Sequence, residues 1–221
     1  MSLMVKQLES SSLDAWDDYV QRAPHATFFH RSGWKTVLQR AFGHRTHFLY
    51  AEGDGGIVGI LPLAEVISVL FGHSLSSLPF CVYGGSVADT EDAAAALRKE
   101  ACGLADQLKV GALELRNSYA SDSGWPVKEL YFTFKKAIEP DDEANLKAIP
   151  NRQRAMIRKG IGEGLASEWD EGIERLYRVY SESVRNLGTP VFSARYLRIL
   201  REVFADDCSV LMITRAGQDV A

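Results

Sequence analysis

The chain has 221 residues, 46% of them hydrophobic and 24% charged, with a formal net charge of -4. These proportions belong to a folded protein of one large domain, or one domain and part of another, and exclude a chain that is disordered throughout. The acidic balance excludes a global basic field for DNA, so any polyanion site has to be a local patch.

Along the chain, Met1-Ser2-Leu3-Met4 has neither the basic nor the apolar region of a signal peptide. Residues 5–8 predict a short strand. Ser11-Ser12-Leu13-Asp14 has the S-x-x-D form that opens a helix, and Trp16, Tyr19 and Val20 give that helix an apolar face. Residues 32–42 predict a second helix through Trp34, Val37, Leu38 and Ala41. A hairpin follows, with its turn at Gly53-Asp54-Gly55-Gly56. Its return strand, interrupted by Pro62, Glu65 and Ser68, is too short and broken to span a bilayer. After a strand at 74–78, residues 79–85 form an apolar, glycine-ended loop, and an apolar loop is expected to line something.

Residues 90–109 carry a helix signature: Glu91 and Asp92 in the first turn, Lys109 in the last, and Ala94, Leu97, Ala101, Leu104 and Leu108 in one stripe. Residues 113–116 and 130–135 alternate as strands, and 139–143 is an acid-rich linker. Helices are predicted at 150–164, 172–186 and 193–204, then a strand at 210–213 with a turn at Ala216-Gly217. Cys81, Cys102 and Cys208 are widely spaced, with no C-x-x-C pair, which points away from a disulfide framework or zinc site and toward a reducing, cytoplasmic setting. His44 and His47 have no third metal ligand near them in sequence.

Helix, helix, strand, turn occurs twice, near 13–56 and again near 172–217. A repeat of this kind implies a complete α+β domain over residues 1–140 and the start of a second copy over 141–221. On that reading the second copy lacks most of its sheet. An unpaired strand at 210–213 and the 196–204 helix are then expected to expose apolar surface, with self-association, or disorder past about residue 140, as the consequence.

Three segments in order carry a family resemblance. They are Ser77-Leu78-Pro79-Phe80 with Tyr83-Gly84-Gly85; Asn151-Arg152-Gln153-Arg154-Ala155-Met156-Ile157-Arg158-Lys159-Gly160; and Leu187-Gly188-Thr189-Pro190-Val191-Phe192-Ser193 with Tyr196-Leu197. Together they resemble bacterial FemAB-like proteins, in particular the exosortase-associated (PEP-CTERM) exopolysaccharide branch. The resemblance implies two tandem acetyltransferase-like (GNAT) domains with mostly antiparallel sheets flanked by helices, the second cut short here. It implies an acyltransferase of the cell envelope, with aminoacyl-tRNA or acyl-CoA as donor and a glycan or peptide amine or hydroxyl as acceptor. The truncated chain is then expected to be inactive. Members that take a nucleotide-linked peptide hold its phosphates with basic side chains. Here the matching positions offer Lys35, then Val191 and Phe192, a departure that points away from that acceptor. The alternative is a non-catalytic module that uses the same scaffold to hold a glycan or RNA.

Arg152, Arg154, Arg158 and Lys159 lie in a stretch free of acids and are the candidate donor or anion site, against the alternative of a solvated face balancing Asp141, Asp142 and Glu143. The glycines at 160, 162 and 164 follow a basic helix rather than a strand, so they read as a helix end and not a phosphate loop. Phe80, Tyr83, Gly84 and Gly85 are candidates for one wall of an acceptor cleft. If the resemblance holds, Thr189, Pro190 and Phe192 face that cleft from the second domain. Glu114, mid-strand, is the general-base candidate for an acceptor amine, against an ordinary ion pair with a neighbouring cation. No G-x-S-x-G and no Cys–His pair announces a nucleophile, which fits direct transfer.

Overall fold

A computed structural model describes residues 3–70, 72–118, 124–128 and 132–221. The chain divides into two compact units, Met1–Asp122 with Glu202–Phe204, and Ser123–Arg201 with Ala205–Ala221.

The first unit is a mixed α+β layer structure. Its elements are β1 (Met4–Gln7), α1 (Leu13–Arg22), α2 (Gly33–Val37), β2 (Arg45–Gly53), β3 (Gly56–Ser68), β4 (Gly72–Ser77), β5 (Val87–Ala88), α3 (Glu91–Leu108) and β6 (Ala112–Glu114). The sheet order is β1-β2-β3-β4-β6, with β5 on β3; the β4–β6 pair is parallel and the other pairs are antiparallel. Side chains alternate across β2, so its two faces meet different helices. Leu49 and Ala51 join Leu61, Leu63 and Leu75 against Ala93, Leu97 and Ala101 of α3. Phe48, one residue over, stacks on Trp16 of α1 at 5.4 Å.

Local chemistry sets the helix ends. Thr90 Oγ1 accepts from the Ala93 N–H at 3.2 Å, satisfying one of the orphan donors of α3. Lys109 closes the helix in the left-handed conformation. The opening of α1 differs from the S-x-x-D expectation: Ser10–Ser12 forms a short 3-10 turn, and the capping residue, Ser12, makes no side-chain bond. A carboxylate instead acts at a distance, with Asp17 Oδ1 accepting from the Ser32 N–H at 2.7 Å and Asp17 Oδ2 from the Ser32 hydroxyl at 2.6 Å. The second predicted helix is α2 continued by one wide turn, Leu38–Phe42, that ends at Gly43 with φ +71°.

The second unit contains α4 (Asp142–Lys147), α5 (Asn151–Gly162), β7 (Leu165–Asp170), α6 (Glu174–Asn186), α7 (Ala194–Val203), β8 (Val210–Arg215) and β9 (Gln218–Asp219). The strands form an antiparallel sheet in the order β7-β8-β9. Three expectations change here. The acid-rich linker ends in a helix, its last two residues forming the first turn of α4, because the Asp141 carboxylate accepts from the Glu143 and Ala144 N–H groups and caps α4. Residues 132–135 of the predicted strand at 130–135 form no strand, and Phe132 and Phe134 are exposed; residues 129–131 lie outside the described residues. The strand at 210–213 is central rather than unpaired: β7 and β9 flank it, and Val210 and Met212 are buried. Val210 and Met212 are therefore covered, as are Tyr196 and Ile199 of α7, while Leu211 on the opposite side is 47% exposed, as expected of part of this strand.

The recurrence of elements is also present in three dimensions. β1-α1-α2-β2-β3 and β7-α6-α7-β8-β9 run in the same order, and each has its three strands antiparallel in the order first, second, third.

Candidate functional site

In the first unit, the loop at 79–85 joins β4 to β5 and is held by the chain that leaves β6. The Gly84 and Gly85 N–H groups both donate to the Arg116 carbonyl, at 3.2 and 2.9 Å. The Arg116 N–H donates to Ser77 Oγ at 2.7 Å, and its guanidinium to the Cys81 carbonyl at 2.9 Å. One residue thus fastens both ends and the middle of the loop. The approach is close enough to require glycine. A Cβ on Gly85 would lie 2.0 Å from Asn117 Oδ1 and 2.7 Å from its Cα, and one on Gly84 would lie 2.5 Å from Leu78 Cβ. Leu78 and Phe80 take positive φ, 42° and 71°, a conformation that costs energy in residues with a side chain and persists where surroundings impose it.

His30 braces the loop from the other side. Its Nδ1 accepts from the Thr27 N–H at 3.1 Å, which leaves Nε2–H to donate to the Gly85 carbonyl at 3.1 Å. Burial holds the His30 pKa below its ordinary value, while the two backbone bonds oppose that shift. The imidazole is therefore a neutral structural clasp. In sequence His30 stands alone, and its only local signal is the three-residue spacing from Thr27 that makes a capping box.

The predicted acceptor residues of this loop divide in two. Gly84 and Gly85 are buried and their N–H groups are committed to Arg116. Phe80 is 41% exposed and stacks on Phe42 at 4.3 Å and on His44 at 5.6 Å, so it presents an aromatic platform. Tyr83 is half-buried, its ring edge-on to Phe29 at 6.4 Å. Glu114 is exposed on β6, and its Oε1 accepts from Arg116 Nε at 2.8 Å, the ion pair of the ordinary reading. A titratable cluster on the sheet has no local signature in the sequence. The buried Glu65 of β3 meets His73 Nε2 at 2.7 Å, Arg45 at 3.5 Å and His47 Nε2 at 3.8 Å.

In the second unit, Thr189, Pro190 and Phe192 lie on the exposed connection from α6 to α7. Gly188 turns the chain with φ +71°, and the Thr189 N–H donates back to the Val184 carbonyl at 3.1 Å. The Phe192 ring packs on Tyr196 at 5.2 Å.

The four candidate cations all fall on α5, which contains no acid. Arg152, Arg158 and Lys159 are exposed; Arg154 is half-buried and donates to Asn151 Oδ1. Among the described residues, no carboxylate lies within ion-pair distance of any of the four, although nearby Lys147 pairs with Glu143 at 2.9 Å and Arg215 with Glu163 at 2.6 Å. Among the described residues, Asp141, Asp142 and Glu143 make no direct ion pair with these four cations. Gly160 and Gly162 lie inside α5, and Gly164 turns the chain beyond it with φ +77°, so they end a helix as their context implies.

The same unit has a recess of about 600 Å³ lined by Arg175, Arg178, Val179, Glu182, Gly217, Gln218 and Asp219. Asp219 pairs with both arginines, and Glu168 pairs with Arg175 as well. With its cations already engaged, the recess is a poorer anion site than α5.

No protein-family model matches the chain, and no curated protein matches it. Among solved structures it is similar to FemX, with a TM-score of 0.67 and 16% identity over 96% of this chain; the chain spans 57% of FemX. It also overlaps a GNAT family acetyltransferase from Staphylococcus aureus, with a TM-score of 0.38 and 15% identity over 59% of this chain and 100% of that one. A ribosomal-protein-alanine N-acetyltransferase from Brucella melitensis biovar Abortus gives 0.41 and 14%, over 62% and 100%. At these identities, the likeness to FemX is one of fold.

Proposed function

We propose that this chain belongs to an acyl- or aminoacyl-transferring enzyme built on the FemX scaffold. Its first GNAT-like domain spans 1–140 and its second begins at 141. The observation that carries the reading is the FemX fold across 96% of the chain. In the proposed reaction, an acceptor amine or hydroxyl attacks the carbonyl carbon of the donor's ester or thioester. The acceptor loses its proton to a base, and the donor's hydroxyl or thiol leaves. The acceptor belongs to cell-envelope or exopolysaccharide synthesis in a bacterial cytoplasm, and the donor is aminoacyl-tRNA or acyl-CoA. Arg152, Arg154, Arg158 and Lys159 supply the anion-binding surface, supported by their lack of carboxylate partners among the described residues. Phe80 and Tyr83 in the first unit, and Thr189, Pro190 and Phe192 in the second, are the acceptor-side candidates. Glu114 serves as base only when it is released from Arg116.

The test is a titration of the wild type and an Arg154→Ala/Arg158→Ala variant with tRNA and with CoA at two salt concentrations. Contacts to phosphate are charge-assisted and fade with salt. The variant is expected to bind about tenfold or more weakly, with a shallower salt dependence, and to melt like the wild type because exposed cations add little stability. Equal, salt-independent binding by both proteins would eliminate the anion surface.

A further inference from the structure

We infer that α5 and the neighbouring edge of β7 form a surface that docks on an anionic lipid bilayer. This rests on the reading of α5 as an anion-binding surface and adds an anionic membrane to the ligands that surface takes.

At 100° per residue, Met156, Gly160, Gln153, Ile157 and Ile161 share one arc of the helix, apolar except for Gln153 near its centre. Arg152 and Lys159 lie along one border of that arc, Arg154 and Arg158 along the other. The arc is open to solvent, with Met156 66% and Ile161 68% exposed. It continues onto the sheet. A Cβ at Gly160 would sit 3.2 Å from Leu165 Cδ1, so the Leu165 side of β7 faces the helix. Trp169, four residues along the same strand face, is 73% exposed and opposite Leu211 of β8.

Two features must be explained together. Open cations alone would suit a nucleic acid or a nucleotide, but those ligands would leave Met156, Ile161 and Trp169 in water. An apolar arc alone would suit a protein partner, but such a core is depleted of charge. An anionic bilayer satisfies both: apolar side chains enter the acyl boundary, bordering Arg and Lys stems reach the headgroup phosphates, and an indole sits at the interface. Among the described residues no helix is long and apolar enough to cross a membrane, so the contact is peripheral.

The test is flotation of the protein with phosphatidylcholine vesicles, with and without phosphatidylglycerol. The wild type is expected to float with the anionic vesicles and to be released by salt. Arg154→Ala/Arg158→Ala should weaken binding about thirtyfold, from two cations near an anionic surface. Met156→Ser/Ile161→Ser should weaken it about tenfold or more while leaving tRNA and CoA titrations unchanged. Far-ultraviolet circular dichroism confirms that each variant is folded. Failure to float with anionic vesicles overturns the inference. So does a Met156→Ser/Ile161→Ser variant that floats like the wild type, or one that only converts a dimer to a monomer. If vesicles are ignored while tRNA or CoA still binds through the arginines, the lipid inference fails and the transferase reading stands. If vesicles bind and neither donor does, the transferase reading loses its anion site and the lipid surface stands.

Discussion

At the scale of single residues, the glycine-ended loop is defined by what surrounds it. Gly85→Ala would force a methyl group against Asn117, and even with the Asn117 side chain turned away its backbone Cα and N would lie 2.7 and 2.8 Å from the new Cβ. Overpacking of this kind costs typically about 1–3 kcal/mol, and the clash places Gly85→Ala at the upper end. Urea unfolding measures it: a midpoint unchanged from wild type would refute the clasp of Arg116 and Asn117 on this loop. The imidazoles give a pH dependence with a definite sign. Burial lowers the pKa of His30, His44 and His47; for His47, the Glu65 carboxylate opposes the shift while Arg45 and Lys35 add to it. A folded state that resists protonation has its full stability above the unfolded histidine pKa of about 6.5 and loses it as pH falls through that value toward the folded pKa. Unfolding midpoints should fall between about pH 7.5 and about pH 5, and less so in His30→Gln. A midpoint that rises on acidification contradicts the assignment.

At the scale of elements, the most legible segment was α3. Its threonine cap, acidic first turn and apolar stripe agree with one another, and the packing follows: Leu97 is fully buried between Ala93 and Ala101 against β2, β3 and β4. Leu97→Ala is expected to cost about 2–5 kcal/mol through lost burial and the cavity left behind, read by thermal or chemical unfolding. A cost under about 1 kcal/mol would show that the helix does not anchor the sheet. β7 was not legible. Leu165-Ala166-Ser167-Glu168-Trp169-Asp170 carries its two strongly apolar residues, Leu165 and Trp169, on one face with Ser167 between them, most of it is exposed, and it is a strand because β8 supplies its partners. Residues 132–135 failed in the opposite sense: alternation marks a capacity to pair, and these residues form no strand in the structure. The linker at 139–143 misled because acids signal solvent exposure as readily as a capped first turn. Asp141 serves as both.

At the scale of the whole molecule, the repeated order of elements was readable before any coordinates, and β7 completes it by standing to β8 as β1 stands to β2. The candidate site was only partly readable. The α5 cations declared themselves by an absence of acids, which is a local property of sequence. The side-chain and backbone contacts of the Arg116–His30 brace to Ser77, Cys81 and Gly85 join residues 39, 35 and 55 positions apart, and the brace has no sequence-local signal. The central claim is that the FemX scaffold here performs group transfer rather than merely binding. The most direct measurement incubates the protein with aminoacyl-tRNA or acyl-CoA and an extract of envelope precursors, and follows both donor and acceptor by mass spectrometry. The account predicts that the ester or thioester is consumed and that the acyl mass appears on an amine or hydroxyl of one precursor, more slowly in Arg154→Ala/Arg158→Ala. Donor that binds and is recovered intact, with no mass gained by any precursor, would contradict it and leave a binding scaffold in its place.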